Sequence, residues 1–399
     1  MNILIASTTF PPDKDGVSEA AATMAMGFVA KGWKVTVTAE TTVPARSSLA
    51  WQGVTINEMF ITGNGAPNHP YRGDVAAYRQ IVKDGNWDII IFQTPGWPVR
   101  LVLDLIPQIR AKTVLVSHGY APLLWQRMSR FPYGIPTWLW NVYQSMRMPF
   151  WLRKIDRTVY LSQRADFHGF YDHFLAKLSC HSGRLVIPNG IDLKDRGKDP
   201  AGFREHHHIS PDAMMFVCVA NYSRRKDQGY AARAFRQAAI PGSVLVFIGS
   251  EFNEWSSAFQ IEDETRACQT QTERILWLEK QDRPATLNAM ATADTFVLSA
   301  NHEAQPIALL EAMREAVPWI ARKAGCISEM QGGICVDSEK AMSAAMIGLA
   351  TNPARRNALG REGADAVSRI YTREAYQQAY CGMIEDLVGR SSKSKIPQG

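Results

Sequence analysis

The sequence predicts an α/β protein built as two doubly wound units. Three observations carry this. The chain has 399 residues, too many for one ordinary core. Short apolar runs alternate with helical stretches through both halves. A polar joint, Asn189-Gly190-Ile191-Asp192 followed by Lys194 to Pro200, separates those halves.

In the first half, Ile3 to Ala6, Lys34 to Thr38, Trp87 to Phe92, Thr113 to Val116, Arg157 to Leu161 and Leu185 to Ile187 read as strands, with Ala20 to Val29 helical. The second half repeats the alternation. Strands are expected at Met214 to Val219, Val244 to Ile248, Arg274 to Leu278, Thr295 to Leu298 and Pro318 to Ala321. Helices are expected at Gly229 to Ala239, Pro284 to Ala293 and Ile307 to Glu315. Three more close the chain, over Glu339 to Leu349, Pro353 to Ile370 and Thr372 to Val388. Strands that are apolar throughout, alternating with helices, mean a parallel sheet covered on both faces. The expected division is 1–192, then 193–370, then a helix over 371–390 packing back on the first domain, then a disordered tail over 391–399. Two such units facing each other put a ligand in a central cleft, outside the carboxyl ends of the strands.

Composition narrows the function classes. Apolar residues make up 46% and charged residues 21%, as in a globular protein. The net charge of +6 suits a phosphate-bearing ligand or an anionic membrane surface. No basic run has nucleic-acid-binding spacing, so nucleic acid is not an expected partner. None of the six cysteines forms a CxxC pair, which implies a reduced, cytoplasmic chain without a zinc site. Cys218 and Cys335 lie in apolar, strand-like stretches and are expected to be buried. The start, MNILIAST, reads as a strand rather than a signal peptide, and no apolar run is long enough to span a bilayer.

The strongest chemical signal is His302-Glu303-Ala304-Gln305-Pro306-Ile307-Ala308-Leu309-Leu310-Glu311. A strand ends just before it and Pro306 opens a helix. Glu303 falls in the loop, where a carboxylate can accept from sugar hydroxyls, and Glu311 can do the same for a ribose diol. Helix N-terminal amides beside them can hold a phosphate. Such residues also suit an ordinary helix start, so the pair alone decides nothing. Lys226 follows another strand within Arg224-Arg225-Lys226, just before a helix. A cation there opposes the helix dipole and makes sense beside a diphosphate. Gly16, between the first strand and its helix, lets backbone approach a phosphate. His118 ends the strand TVLVSH. His206 to His208 read as a solvated loop.

The glutamates eight apart in EAQPIALLEAM resemble the E-x7-E element of glycosyltransferase family 4, a family of retaining GT-B enzymes. PPDKDGVSEAA, VIPNGID, VANYSRRKDQGYAARAF and VPWIARKAGCISEM resemble further stretches of that family in the same order. The resemblance implies a GT-B fold and a nucleoside diphosphate sugar, UDP- or GDP-linked, as donor. It implies catalytic roles for His118 and Glu303, and diphosphate contacts from Gly16, Arg225, Lys226, Gln305, Pro306 and Ile307. It gives the donor ribose to Glu311, and requires no cofactor or metal. Asp13-Lys14-Asp15 spells the metal signature of a different transferase fold in a different strand context. Two departures stand out. Asn221 replaces the Arg usual five residues before the Lys, leaving that charge to Arg224 or Arg225, or the phosphate contacts to Lys226 alone, and Asp15 replaces one glycine of a pair.

Residues 105 to 155 hold no Asp or Glu but carry Arg110, Lys112, Arg127, Arg130, Arg147, Arg153 and Lys154. Trp125, Trp138, Trp140 and Trp151 lie among them. This suits an interfacial helix with aromatic rings at headgroup depth and Arg meeting lipid phosphate; an aromatic helix packed in the core, with Arg on its rim, is the alternative. The expected acceptor is a lipid-linked saccharide, cell-surface polysaccharide or glycolipid, with the protein peripheral on the inner face of the membrane. Base specificity is expected in a loop such as Glu279 to Arg283. A nucleotide-sugar epimerase, or a degenerate transferase that only binds, are the competing functions.

Overall fold

The structure, a computed structural model, describes all residues except 14, 42–45, 47, 120–133, 166–169, 253–273 and 394–399; the side chains of 134–138 and 390–393 are also outside the description. The chain forms two compact units. One comprises Met1–Asn189 with Arg373–Gly399, the other Gly190–Thr372.

The first unit is built on β1 (Asn2–Ser7), β2 (Lys34–Glu40), β3 (Ala50–Trp51), β4 (Val54–Met59), β7 (Ile89–Gln93), β8 (Lys112–Val116), β9 (Arg157–Tyr160) and β10 (Arg184–Val186), with a small separate pair, β5 (Ile61–Thr62) and β6 (Arg72–Gly73). The main sheet has the order β10-β9-β8-β7-β1-β2-β4-β3 and is parallel except for β3 on β4. Its helices are α1 (Gly16–Ala30), α2 (Val75–Asp84), α3 (Trp97–Arg100), α4 (Gly134–Leu152) and α5 (Tyr171–Leu178). Every residue of β7 is buried, which is why it reads as an apolar run up to its closing Gln93.

The second unit contains α6 (Pro200–His206), β11 (Met215–Val219), α7 (Gln228–Ala238), β12 (Val244–Gly249), β13 (Arg274–Glu279), α8 (Arg283–Thr292), β14 (Thr295–Leu298), α9 (Ile307–Arg314), β15 (Trp319–Arg322), β16 (Gly333–Val336), α10 (Glu339–Thr351) and α11 (Pro353–Ile370). Its sheet is fully parallel, in the order β13-β12-β11-β14-β15-β16. Helix starts follow local rules. Asp282 accepts from Ala285 N at 2.8 Å ahead of Pro284, and Asn352 accepts from Arg355 N at 2.9 Å ahead of Pro353.

The last helix, α12 (Arg373–Lys393), belongs to the first unit. Tyr376 Oη donates to Ala20 O at 3.2 Å and Gln377 Nε2 to Thr23 O at 2.9 Å. Gly27 on α1 makes room for it, since a Cβ there would lie 2.7 Å from Gln377 Cγ. The helix takes in residues 391–393 of the expected tail; 394–399 lie outside the described residues.

Two expectations need correction. The polar joint runs into α6, whose Pro, Gly and His residues hide a helix capped by Asp199; His206 ends it. The strand-like stretch around Cys335 is a further strand of the sheet, β16, four residues long and partly exposed. Cys335 lies on it, at the sheet edge, and is exposed, whereas Cys218 on central β11 is buried, where desolvation pushes its thiol up to about 12.

Candidate functional site

Numbered within its own sheet, the second unit has the order 3-2-1-4-5-6. Ligands of such sheets bind beyond the carboxyl ends of the strands where that order reverses. Here the reversal falls between β11 and β14. β11 runs into the loop holding Lys226, and β14 into the loop holding Glu303. The loops are joined: Asn301 N donates to Arg225 O at 3.0 Å and Ser299 Oγ to Lys226 O at 2.9 Å. Lys226 Nζ then donates to Glu303 Oε1, with the two side chains only 17% and 9% exposed. Removal from water makes this pair costly to break from one side.

Two neighbours fix the Glu303 loop. Gly325, at φ +52°, follows β15, and a Cβ there would collide with the carbonyl oxygens of Glu303 and Ala304. Cys326 N donates to Ala304 O at 3.0 Å. On the other side, Pro306 precedes α9 and supplies no side-chain cap. Because Pro306 has no N–H of its own, the Ile307 amide is the first of the helix's unsatisfied donors. Gln305 and Pro306 are buried and Ile307 is half-buried.

Glu311, further along α9, is 3% exposed and ion-pairs with Arg283 Nη2 at the start of α8. The same nitrogen lies 2.7 Å from Asp195 Oδ2. Burial opposes the Arg283 charge, but Glu311 and Asp195 outweigh it and hold the guanidinium above its ordinary range. Arg224 and Arg225 are exposed, and among the described residues their side chains make no hydrogen bond or ion pair. Arg322 Nη1 donates to Asp227 Oδ2 at 2.9 Å, and the guanidinium carbon lies 4.4 Å over the Tyr230 ring, bracing the residue after Lys226.

The first sheet reverses between β1 and β7. Asp15 caps α1: its Oδ1 accepts from Val17 N at 2.8 Å, Ser18 N at 2.9 Å and Thr9 Oγ1 at 3.1 Å. The diphosphate role expected of Gly16 therefore meets a carboxylate on the amides that would serve it. Gly16 has open space, with nothing within 4 Å of a built Cβ. His118, just past β8, donates from Nε2 to Gln93 Oε1 at 2.7 Å, while the Gln93 amide nitrogen faces Met24 Sδ. That pairing leaves Nδ1 as the acceptor. Burial pushes His118 down to about 4, against a smaller upward pull from Asp15, so the imidazole is neutral at neutral pH.

Residues 14–195 match the model of Glycosyltransferase Family 4, and residues 202–366 match that of Glycosyl transferases group 1. The chain is a glycosyltransferase that resembles these two families in its two halves. Solved structures show its fold to be GT-B. Sucrose-phosphate synthase from Thermosynechococcus elongatus matches with a TM-score of 0.77 at 16% identity, over 98% of this chain and 99% of that one. Anabaena HepE in complex with UDP-glucose matches at 0.73 and 14%, over 97% and 100%. WaaG, a glycosyltransferase involved in lipopolysaccharide biosynthesis, matches at 0.66 and 12%, over 97% and 100%. No curated protein matches the sequence.

In this glycosyltransferase Arg225, Lys226, Glu303, Gln305, Pro306, Ile307 and Glu311 all lie on the two segments that leave the switch point of the second sheet. The residues expected on the acceptor side divide. Trp125, Arg127 and Arg130 lie outside the described residues, as does the Trp138 side chain. Trp140 is half-buried, 5.4 Å from the Tyr143 ring. Arg147 is exposed and lies 5.2 Å over that same ring. Trp151 is a correction: it packs in the core with Met148, Leu152 and Ile155. The exposed face of α4 is instead Leu139, Tyr143, Met146 and Phe150, spaced to share one stripe.

Sequence reasoning missed Arg283 as a partner of Glu311, and missed Gly325 and Gln93. Each left a trace: a cation at a helix start, a glycine just after a strand, and an amide ending an otherwise apolar strand.

Proposed function

We propose that this glycosyltransferase moves a hexose from a UDP- or GDP-sugar to a lipid-linked saccharide, polysaccharide or glycolipid, with retention and without a metal. The Lys226–Glu303 pair at the switch point, beside an uncapped helix start, carries this reading. Lys226, Arg225 and the backbone around Gln305 to Ile307 neutralise the diphosphate as it leaves, which is where charge develops. Glu311 takes the ribose. Glu303 and His118 have catalytic roles, Glu303 accepting from sugar hydroxyls and His118 acting as a neutral imidazole. The bond from the anomeric carbon to the diphosphate oxygen breaks, the acceptor oxygen bonds to the same face, and its proton passes to the leaving phosphate. The HepE structure, which holds UDP-glucose, favours a donor of this class.

The reading is tested with a panel of nucleotide sugars, by thermal shift and by release of nucleoside diphosphate. One donor is expected to stabilise the protein and to be slowly hydrolysed. Sugar conversion without release would make it an epimerase; silence across the panel, with and without lipid-linked acceptor, would remove the proposal.

We further propose that the stripe on α4 meets an anionic membrane. Four exposed apolar side chains are flanked by Arg147, within a segment lacking acidic residues. No helix among the described residues is long and apolar enough to cross a membrane. Phosphatidylglycerol vesicles should bind the protein, and Tyr143→Ser with Phe150→Ser should abolish this. Equal binding to neutral vesicles, or no effect of the pair, would refute it.

A further inference from the structure

Glu303 and Glu311 are both buried, and each has a cation brought from elsewhere in the chain. Glu303 has Lys226. Glu311 has Arg283, the first residue of α8. That location is unfavourable for a cation, because the helix dipole presents its positive end there. Two carboxylates hold it: Glu311 from α9, and Asp195 from the stretch that enters the second unit, at 2.7 Å from Nη2 and 3.2 Å from Nε. Asp282, the preceding residue, is occupied capping the helix.

We propose that Arg283 is a positioning residue for the donor ribose, and this rests on the assignment of Glu311 to the ribose diol. A carboxylate that receives two hydroxyl protons must be charged and fixed in direction. The hydroxyls are neutral and cannot compensate a buried charge, so a permanent cation must. Arg283 supplies it through Nη2, while Nε and Nη2 together contact Asp195, a two-nitrogen hold that an ammonium does not offer. Asp195 in turn holds the guanidinium, so Arg283 keeps its place when the nucleotide is absent.

The experiment measures binding of UDP, GDP and ADP, and of their 2′,3′-dideoxy counterparts, by titration calorimetry to the full chain. Arg283→Ala should weaken the preferred ribonucleotide about tenfold while changing its dideoxy counterpart less than about twofold. With Glu311→Gln already present, Arg283→Ala should add less than about twofold. Equal weakening of both nucleotides, or no weakening of either, overturns the role of Arg283 and leaves the donor site standing. Wild type that binds none of the nucleotides overturns the donor reading itself, and Arg283 with it. If Arg283→Ala does not fold, Arg283→Lys carries the test. A loss of about threefold or more confined to the ribonucleotide supports the proposal, and any other pattern overturns it.

Discussion

Removing either partner of the Lys226–Glu303 pair should give effects of opposite sign on nucleotide binding. In Lys226→Met the Glu303 carboxylate, 9% exposed, loses its cation. Breaking a buried pair in this way costs about 3–5 kcal/mol. In Glu303→Gln the lysine left behind is 17% exposed on a flexible stem and can reach water, so the cost should be smaller, about 1–2 kcal/mol. The double variant should lose no more than Lys226→Met alone, a coupling of at least about 1 kcal/mol. Two units need not unfold together, so amide exchange in β11 and β14, which flank the pair, is the proper readout. Binding adds the sharper sign. UDP or GDP should bind Lys226→Met at least tenfold more weakly, about 1.4 kcal/mol. Glu303→Gln frees the lysine for the diphosphate and removes a like charge, so the same nucleotide should bind as tightly or more tightly while turnover falls. Additive stabilities, or weaker nucleotide binding in Glu303→Gln, would show the pair to be only structural.

Three further outcomes follow from local geometry. His118 has a folded value of about 4 against 6.5 for a free imidazole, so the unfolded chain binds the extra proton between them. Its contribution is present above pH 6.5 and is lost as pH falls towards 4, up to about 3 kcal/mol; His118→Gln should flatten that part of the stability–pH curve, and an unchanged slope would exclude it. Gly325→Ala should cost about 2 kcal/mol or more, because positive φ and the collision with the Glu303 carbonyl act together; a neutral melting temperature would contradict this. Asp15→Ala should cost about 1 kcal/mol and speed amide exchange at Val17 and Ser18, with Asp15→Asn intermediate; unchanged exchange would mean the cap is not formed.

The sheets were legible because their strands are buried on both faces. IIIFQ, MFVCV and TFVL need no partner in view to be recognised. Much of what escaped was short or edge-lying; β4, six residues between β2 and β3, escaped because it is only partly apolar and partly exposed. β3, β5 and β6 have two residues each, and α6 is spelled with residues that usually break helices. The Glu303–Glu311 spacing could be read because both residues belong to one loop and helix. Arg283 and Asp195 could not, since they come 88 residues apart and meet only in the folded chain. On α4 the aromatic content was plain but the exposed side was not. Choosing tryptophans picked Trp151, while the period of the helix turns Leu139, Tyr143, Met146 and Phe150 outwards.

Each sheet has one point where its strand order reverses, and the two points differ in charge. At the first, the initial amides of α1 are answered by Asp15, and the nearby imidazole of His118 is neutral. A diphosphate there would meet a carboxylate and find no cation to balance it among these residues. At the second, α9 starts without a side-chain cap, Lys226 stands beside it, and Arg224 and Arg225 extend into solvent. An anion there meets unsatisfied N–H groups and positive charge together. Topology alone offers both places equally; the charge that the described residues place there differs. Arg224 and Arg225, three and four residues beyond Asn221, are both exposed.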